Sequence, residues 1–191
     1  MVRIAFICED DAGKKIIDSQ NFLSLLNQNN LELIPPVFNA KGKGNLTELN
    51  IIGLLMTAIA NGATHIFILT DLDMDSCITN TRKNLVNHQH CTIIVCKKAV
   101  EAWFLADNSA LSGLLKRTSY FPFPEDPIKP FDEINNLHKN AFNGRGISKS
   151  TLPTKMIDKG FSVLNASKHQ NCSSAQYFIR KLLLLKDDLH S

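Results

Sequence analysis

The sequence predicts an α/β fold, with a mainly parallel four-stranded sheet flanked by helices and a helical C-terminal part. Within the first ~100 residues, short apolar runs alternate with stretches of helical periodicity, a pattern typical of a parallel sheet. The chain has 191 residues, of which 44% are hydrophobic and 20% charged. Such a chain can bury a core without disulfides or structural metal.

The first half of the chain contains the predicted sheet. Four extended runs are the predicted strands: 3–8, 31–38, 65–71 and 91–96. Four periodic stretches are the predicted helices between and after them: 12–29, 45–61, 78–87 and 99–107. Pro35 and Pro36 cannot donate to a strand ladder, so the second strand is expected to be short or at an edge. Asn45, followed three residues later by Glu48, predicts the start of the second helix.

The second half is expected to be helical. The proline-rich stretch 120–130 predicts irregular backbone, because proline fixes φ and lacks an N–H group. The helices predicted after it cover three ranges: 131–142, 155–164 and 174–189. A basic loop is expected at 143–150. We therefore divide the chain into a catalytic core, 1–118, and a helical extension, 119–191, packed on it.

Composition restricts the function classes. The net charge of +3 is too small to indicate nucleic-acid binding by itself. No apolar run approaches the ~20 residues of a membrane span, which predicts no membrane association. The apolar N-terminus reaches Glu9 and Asp10 too soon for a signal peptide. Five cysteines, an odd number, are typical of reduced thiols and hence of a cytoplasmic protein.

Three aspartates, Asp71, Asp73 and Asp75, follow the predicted buried strand at every second position. On an extended backbone Asp71 and Asp73 would project in the same direction. Like charges in that arrangement are commonly stabilised by a divalent cation, here Mg²⁺ or Mn²⁺. The alternative for such a pair is a helix cap or a turn.

Two further carboxylates follow neighbouring strands. Glu9 ends the first strand, and Glu101 follows the fourth strand within an apolar helical turn. Carboxyl ends of parallel strands meet at one edge of a sheet, so both can join the aspartates as metal ligands. The alternatives are a solvated helix-start carboxylate for Glu9 and an exposed helix residue for Glu101. Asp10 and Asp11 fit the helix-start role better than Glu9 does.

Basic residues supply candidate phosphate contacts. Transition-state charge could be stabilised by any of four lysines, and the sequence does not choose among Lys97, Lys98, Lys149 and Lys155. We take Lys98 and Lys155 as the catalytic candidates. Two basic loops are expected to contact nucleic acid through four residues: Lys41, Lys43, Arg145 and Lys149. A zinc site is disfavoured, because Cys91 and Cys96 bracket an apolar strand and point in opposite directions.

Glu9 after the first strand and Asp71-x-Asp73 after the third resemble the TOPRIM domain of topoisomerases, bacterial primases and OLD-type nucleases. The segment 98–107 is similar to one in small stand-alone TOPRIM-like proteins, the RloB-like group among them, which are often encoded beside prokaryotic defence genes. The resemblance implies that Glu9 is the general acid/base and that Asp71 and Asp73 bind Mg²⁺. Glu101 would match an acidic position of the stand-alone group. The family's glycine soon after the first acid is replaced here by Asp10-Asp11.

These features predict a Mg²⁺-dependent nuclease that hydrolyses DNA or RNA, and the resemblance implies a prokaryotic anti-phage defence system. The expected partners are nucleic acid, a protein encoded nearby such as an ATPase, and further copies of the chain. Two alternatives stay open. One is a glycosyltransferase that binds a nucleotide-sugar through Asp71-x-Asp73. The other is a non-catalytic metal- or partner-binding subunit of a defence complex.

Overall fold

The computed structural model describes residues 1–187 and confirms the α/β class. In this part of the chain the sheet has five strands: β1 Val2–Cys8, β2 Leu31–Leu33, β3 Phe38–Asn39, β4 His65–Asp71 and β5 Cys91–Cys96. The strand order is β2-β1-β4-β5, with β3 also beside β1. Every pair is parallel, so all strands present their carboxyl ends at the same edge.

The predicted second strand is in fact two short strands. β2 pairs with the beginning of β1, where Leu33 lies opposite Ile4, and β3 pairs with its end, where Asn39 lies opposite Cys8. Pro35 and Pro36 lie between the two strands. Because neither proline has an N–H group to donate, the ladder is interrupted there. The sheet accordingly has five strands instead of the predicted four.

Helices cover both faces of the sheet and make up the C-terminal part. In chain order they are α1 Asp11–Ile17, α2 Gln20–Gln28, α3 Glu48–Ala60, α4 Ile78–Asn84, α5 Glu101–Ala106, α6 Asn108–Leu115, α7 Pro130–Ala141, α8 Leu152–Asp158, α9 Val163–Ser167 and α10 Ser173–Asp187. A 3₁₀ turn, Lys43–Leu46, precedes α3. None of the helices within residues 1–187 is long and apolar enough to cross a membrane.

Several helix predictions need correction. The predicted helix 78–87 ends at Asn84, and α6 was not predicted. The range 12–29 is broken at Ser19, whose hydroxyl caps α2 by accepting from the backbone N–H of Phe22 at 3.3 Å. The range 155–164 is broken after α8 by Gly160, whose φ of +85° favours glycine. Helix α3 begins after Thr47, whereas Asn45 lies in the 3₁₀ turn. The predicted last helix extends to 189, and its residues 188 and 189 lie outside the described range.

An aromatic cluster fills one side of the sheet. Phe6 of β1 stacks on Phe67 of β4 at 5.2 Å between ring centroids, and Phe178 of α10 lies 5.8 Å from Phe67. Trp103 of α5 is completely buried, stacks on Phe178 and donates its Nε1–H to the hydroxyl of Ser174 at 2.8 Å. The last helix therefore packs directly on the sheet. The division of the chain at residue 118 stays a prediction.

All five cysteines lie within the described residues and are free thiols. Burial raises the pKa of the Cys8 and Cys96 thiols. It also raises the pKa of Cys91 to about 11 and the pKa of Cys172 to about 12. Cys77 differs, because backbone N–H groups of the following turn donate to its sulfur and lower its pKa. The thiol in the loop before α4 is thus the one that ionises most readily.

Candidate functional site

Glu9 and Asp71 meet where the central strands end. β1 and β4 are neighbours, and the backbone N–H of Glu9 donates to the carbonyl of Leu69 at 2.8 Å. The Glu9 side chain turns across to β4, where its Oε2 accepts from the Thr70 hydroxyl at 2.5 Å and from the Asp71 N–H at 3.0 Å. These two bonds fix the orientation of the carboxylate. Its other oxygen, Oε1, makes no hydrogen bond within residues 1–187.

Asp71 lies among several other carboxylates at this edge of the sheet. Its Oδ1 accepts from the Val100 N–H at 2.9 Å, which draws the start of α5 towards the end of β4. Burial raises the pKa of Asp71 well above its ordinary value, and four nearby carboxylates raise it further: Glu101, Asp10, Glu9 and Asp73. An ionised Asp71 is therefore costly here unless a cation lies beside it.

Asp73 does not lie on extended backbone as predicted. The strand ends at Asp71, and Asp73 has a left-handed φ of +53°, a conformation that aspartate tolerates better than most residues. Its N–H donates to the carbonyl of Lys98 at 2.6 Å, and its half-exposed carboxylate lies 3.0 Å from the Lys43 ammonium. The alternation argument is therefore wrong beyond the end of the strand.

Lys43 occupies a position typical of a bound cation. Its ammonium lies 3.0 Å from Asp73, 3.3 Å from Asp75 and 3.1 Å from the carbonyl oxygen of Leu72. The hydroxyl of Thr81 also donates to Asp75, at 2.9 Å. Lys43, which was predicted to contact phosphate, is thus paired with residues 72–75, here called the acidic loop.

Glu101 is buried at the first residue of α5, with 2% of its surface exposed. The alternative of an exposed helix residue is therefore wrong. The Lys149 ammonium lies 3.6 Å from its Oε1, and burial raises the pKa of Glu101 despite this partner. A buried carboxylate with a single, largely exposed counterion is typical of functional sites.

Asp10 is a site residue that the sequence analysis placed only at a helix start. It does cap α1, since its Oδ1 accepts from the Gly13 N–H at 2.9 Å. Its charge also contributes to the raised pKa values of Asp71 and Glu101. Lys149 lies near all three of these acids, and Glu101 first, then Asp71 and Asp10, raise the pKa of its ammonium.

A cavity of about 290 Å³ opens beside these carboxylates. Four of its charged lining residues belong to the site: Asp73, Lys98, Glu101 and Lys149. The opposite wall is formed by the segment from Ile128 to Asp132, which leads into α7. The predicted C-terminal extension therefore contributes to the cleft, and the catalytic candidate Lys98 lines it.

Two of the predicted basic residues lie away from this cavity, and a third, Lys41, lies in a loop beside Glu9 without lining the cavity. Lys155 and Arg145 line a separate cavity of about 350 Å³ together with Lys116 and Lys159. Lys41 has an exposed side chain, in a loop that the Gly42 N–H joins to the Glu9 carbonyl at 2.8 Å. Lys155, a catalytic candidate from the sequence, is thus not among the residues around Asp71 and Glu101.

The donor set fits Mg²⁺ as far as its chemistry is concerned. Within residues 1–187, no three His, Cys, Asp or Glu side chains are already arranged to hold a metal ion. Mg²⁺, however, commonly binds one or two carboxylates and completes its shell with waters and substrate phosphate. Asp71 and the open Oε1 of Glu9 satisfy that requirement, and the raised pKa of Asp71 is consistent with a local excess of negative charge.

No protein-family model, curated protein or solved structure matches the chain. The relationship to TOPRIM proteins therefore stays a prediction. Two contributors to the site had a signal in the sequence. Asp10 belongs to an acidic triplet directly after β1, and Thr70 is a hydroxyl residue between the apolar strand and Asp71.

Proposed function

We propose that the chain is a Mg²⁺-dependent nuclease that hydrolyses phosphodiester bonds of DNA or RNA. One observation carries the proposal: Glu9 and Asp71 end adjacent parallel strands, and Glu101 begins the helix after the next strand, so that the three carboxylates reach one sheet edge. Of the three, Glu101 lines the cavity there, together with Lys98 and Lys149. Ligands of open α/β sheets bind at this edge. Burial is the main cause of the raised pKa of Asp71, and the neighbouring carboxylates that raise it further are the part of the shift that supports a cation in the working site.

Asp71 and Glu9 would hold Mg²⁺, with Asp73 and Glu101 completing the acidic shell. When bound, the ion polarises a phosphoryl oxygen and favours attack by water. Mn²⁺ has similar oxygen-ligand preferences and could replace Mg²⁺.

The chain's own residues supply binding and proton transfer. Glu9 has one oxygen fixed by Thr70 and Asp71, so the remaining oxygen is held in place for one of two roles: to bind the ion, or to take a proton from the attacking water. Lys98 and Lys149 line the cavity and would bind the phosphate oxygens of the strand. Lys149 can exchange Glu101 for phosphate, because its side chain is largely exposed.

The proposed setting is prokaryotic anti-phage defence in the cytoplasm, with a partner protein such as an ATPase. Its support is the similarity of the segment 98–107 to stand-alone TOPRIM-like proteins. The same acidic edge would also serve a non-catalytic subunit, and Asp71-x-Asp73 would also serve a nucleotide-sugar transferase. Asp71 accepts from the Val100 N–H, whereas Asp73 is paired with Lys43, and these different contacts disfavour a site that needs both carboxylates on one diphosphate.

The decisive experiment is cleavage of labelled single- and double-stranded DNA and RNA with Mg²⁺ or Mn²⁺. We expect product from the wild type, loss of activity in Asp71→Asn, and a ~10²–10⁴-fold slower reaction in Glu9→Gln. Glu32→Gln, which changes a surface carboxylate on the edge strand β2, is the matched control and should retain activity.

Two outcomes would contradict the nuclease proposal. Equal cleavage by wild type and Asp71→Asn would show that the acidic edge is not the reaction centre. Mg²⁺ binding by calorimetry with no product from any nucleic acid would identify either a non-catalytic module or a transferase. Activity with a nucleotide-sugar that survives in Glu9→Gln would then identify the transferase.

A further inference from the structure

A second cavity, of about 460 Å³, lies between α4 and α10 beside the edge strand β5. Its apolar wall includes Ile78 and Val95, and its charged residues are Arg82 and Arg180. Helix α10 also contributes Tyr177 and three further polar residues: Ser173, Ser174 and Gln176. Among the described residues no carboxylate lines this cavity, whereas Asp73 and Glu101 line the cavity of about 290 Å³.

The two arginines surround Tyr177. The guanidinium carbon of Arg82 lies 4.5 Å from the ring centroid and that of Arg180 lies 5.5 Å from it, while the Lys181 ammonium lies at 5.7 Å. Cation–π attraction to a single ring offsets only part of the repulsion among three cations. This arrangement is favourable when an anion shares the space.

Neither guanidinium has an anionic partner in the part of the chain that the structure describes. Arg82 and Arg180 form no ion pair and no side-chain hydrogen bond there. The Nε of Arg82 is shielded from solvent without any hydrogen-bond acceptor. A buried donor without a partner is costly, so this nitrogen indicates a missing acceptor.

The three other polar residues of α10 named above already have partners. The Ser174 hydroxyl accepts from Trp103, the Ser173 hydroxyl donates to Glu125 at 2.7 Å, and Gln176 donates to the His169 carbonyl. The capacity to bind a ligand therefore rests with the two arginines. Guanidinium groups are suited to phosphate, whose oxygens can accept two parallel hydrogen bonds.

The cavity adjoins the acidic edge through both of its walls. Arg82 directly follows Thr81, whose hydroxyl donates to Asp75. On the strand side, Val95 lies opposite Thr70, the residue that hydrogen-bonds Glu9. Residues that line the cavity are thus direct neighbours of two residues that hydrogen-bond carboxylates of the acidic edge.

We propose that the Arg82–Arg180 cavity binds a phosphate group of the nucleic-acid strand, at a distance from the bond that is cleaved. The choice of a polynucleotide as the phosphate source rests on the proposed function. A free nucleotide carries the same chemistry, and the experiment below distinguishes the two sources.

The test measures binding without cleavage. Fluorescence anisotropy of labelled single-stranded DNA and RNA is recorded in EDTA, with the full-length wild type, Arg180→Ala, Arg180→Lys and Arg82→Lys. Arg180 is exposed, so its replacement should leave the fold intact. Arg117→Ala removes an exposed arginine outside the cavity and is the matched control.

We expect Arg180→Ala to weaken binding about tenfold or more, as for the loss of a charge-assisted hydrogen bond. The slope of log K against log salt should fall in magnitude by about 0.7, the contribution of one phosphate on a single strand. The two Lys variants should keep this slope and lose part of the affinity, because an ammonium lacks the paired geometry. Arg117→Ala should bind like the wild type.

Equal affinity and equal salt slope in wild type and Arg180→Ala would overturn the proposal, as would no strand binding by the wild type. AMP and inorganic phosphate provide the second arm. If Arg180→Ala abolished competition by AMP but left strand binding unchanged, the cavity would bind the phosphate of a free nucleotide and not that of a polynucleotide. Because no metal or cleavage is required, these results are independent of whether the nuclease assay succeeds.

Discussion

Asp71 and Asp75 lie close together in the sequence, and their pKa values are shifted in opposite directions. Burial and four neighbouring carboxylates raise the pKa of Asp71, whereas the Thr81 hydroxyl and the Lys43 ammonium lower that of Asp75. We predict that Asp71→Asn stabilises the metal-free protein at neutral pH and that Asp75→Asn destabilises it. The amide introduced by Asp71→Asn would keep an oxygen for the Val100 N–H, so that hydrogen bond is retained.

The sign and size of the effect follow from proton linkage. Asp71 in the unfolded chain titrates near its ordinary pKa, and in the folded chain at a higher pH. Its ionisation therefore costs nothing below the ordinary pKa, and the cost grows up to the raised pKa and is constant above it. Each pKa unit corresponds to about 1.4 kcal/mol. A chain of this size changes its Tm by about 2–4 °C per kcal/mol, hence by about 3–5 °C per pKa unit.

The assay is thermal unfolding followed by circular dichroism between pH 4 and 8, first in EDTA and then with Mg²⁺. In EDTA, the Tm of Asp71→Asn should exceed that of the wild type at pH 8, and the difference should vanish towards pH 4. Mg²⁺ at a hundredfold excess over its Kd should stabilise the wild type by about 2.7 kcal/mol. It should leave Asp71→Asn nearly unchanged.

A Tm for Asp71→Asn at or below the wild-type value at pH 8 would refute the reasoning about the acidic edge. If Asp75→Asn also raised the Tm, the stabilisation by Asp71→Asn would result from the change in net charge and not from the position of Asp71. Equal Mg²⁺ responses of wild type and Asp71→Asn would remove Asp71 from the proposed ligands.

Two further predictions concern packing and the cation at the acidic loop. Trp103→Ala should lower the free energy of unfolding by about 3–5 kcal/mol, because it leaves a cavity and an unpaired Ser174 hydroxyl. A difference in urea denaturation below about 2 kcal/mol would contradict this expectation. Lys43→Met should cost up to about 1 kcal/mol in EDTA, since its ion pair with Asp73 is partly exposed. It should also tighten Mg²⁺ binding in calorimetry by freeing Asp73, and unchanged or weaker affinity would argue against that competition.

The strands were predictable because their burial is evident from local composition. The predicted strands 3–8, 65–71 and 91–96 each contain a run of consecutive apolar residues, and each agrees with a strand to within one residue. Their neighbour relations were not predictable, because the order β2-β1-β4-β5 depends on how helices pack across both faces. The breaks at Ser19 and Gly160 had local signals, namely a helix-capping hydroxyl and a glycine.

The site was predictable where it follows from strand ends and not where it depends on distant contacts. Glu9 and Asp71 end parallel strands, so both were expected at one edge of the sheet, and their contact follows from the pairing of β1 with β4 in the structure. The backbone at Asp73 is held by a hydrogen bond to the carbonyl of Lys98, which follows β5. Because Lys98 lies far from Asp73 in the sequence, no local pattern predicts this contact. Asp10 has a sufficient local explanation as a helix cap, and its effect on Asp71 arises only in the folded structure.

The unequal acidity of the cysteines offers a means of observing the acidic loop directly. Cys77 lies two residues after Asp75, and its lowered pKa contrasts with the raised values of the four other thiols. Because thiolates are the reactive form, a maleimide dye or spin label at neutral pH should attach first at Cys77. The native sequence therefore provides its own attachment point for a spectroscopic probe beside the loop that holds Lys43.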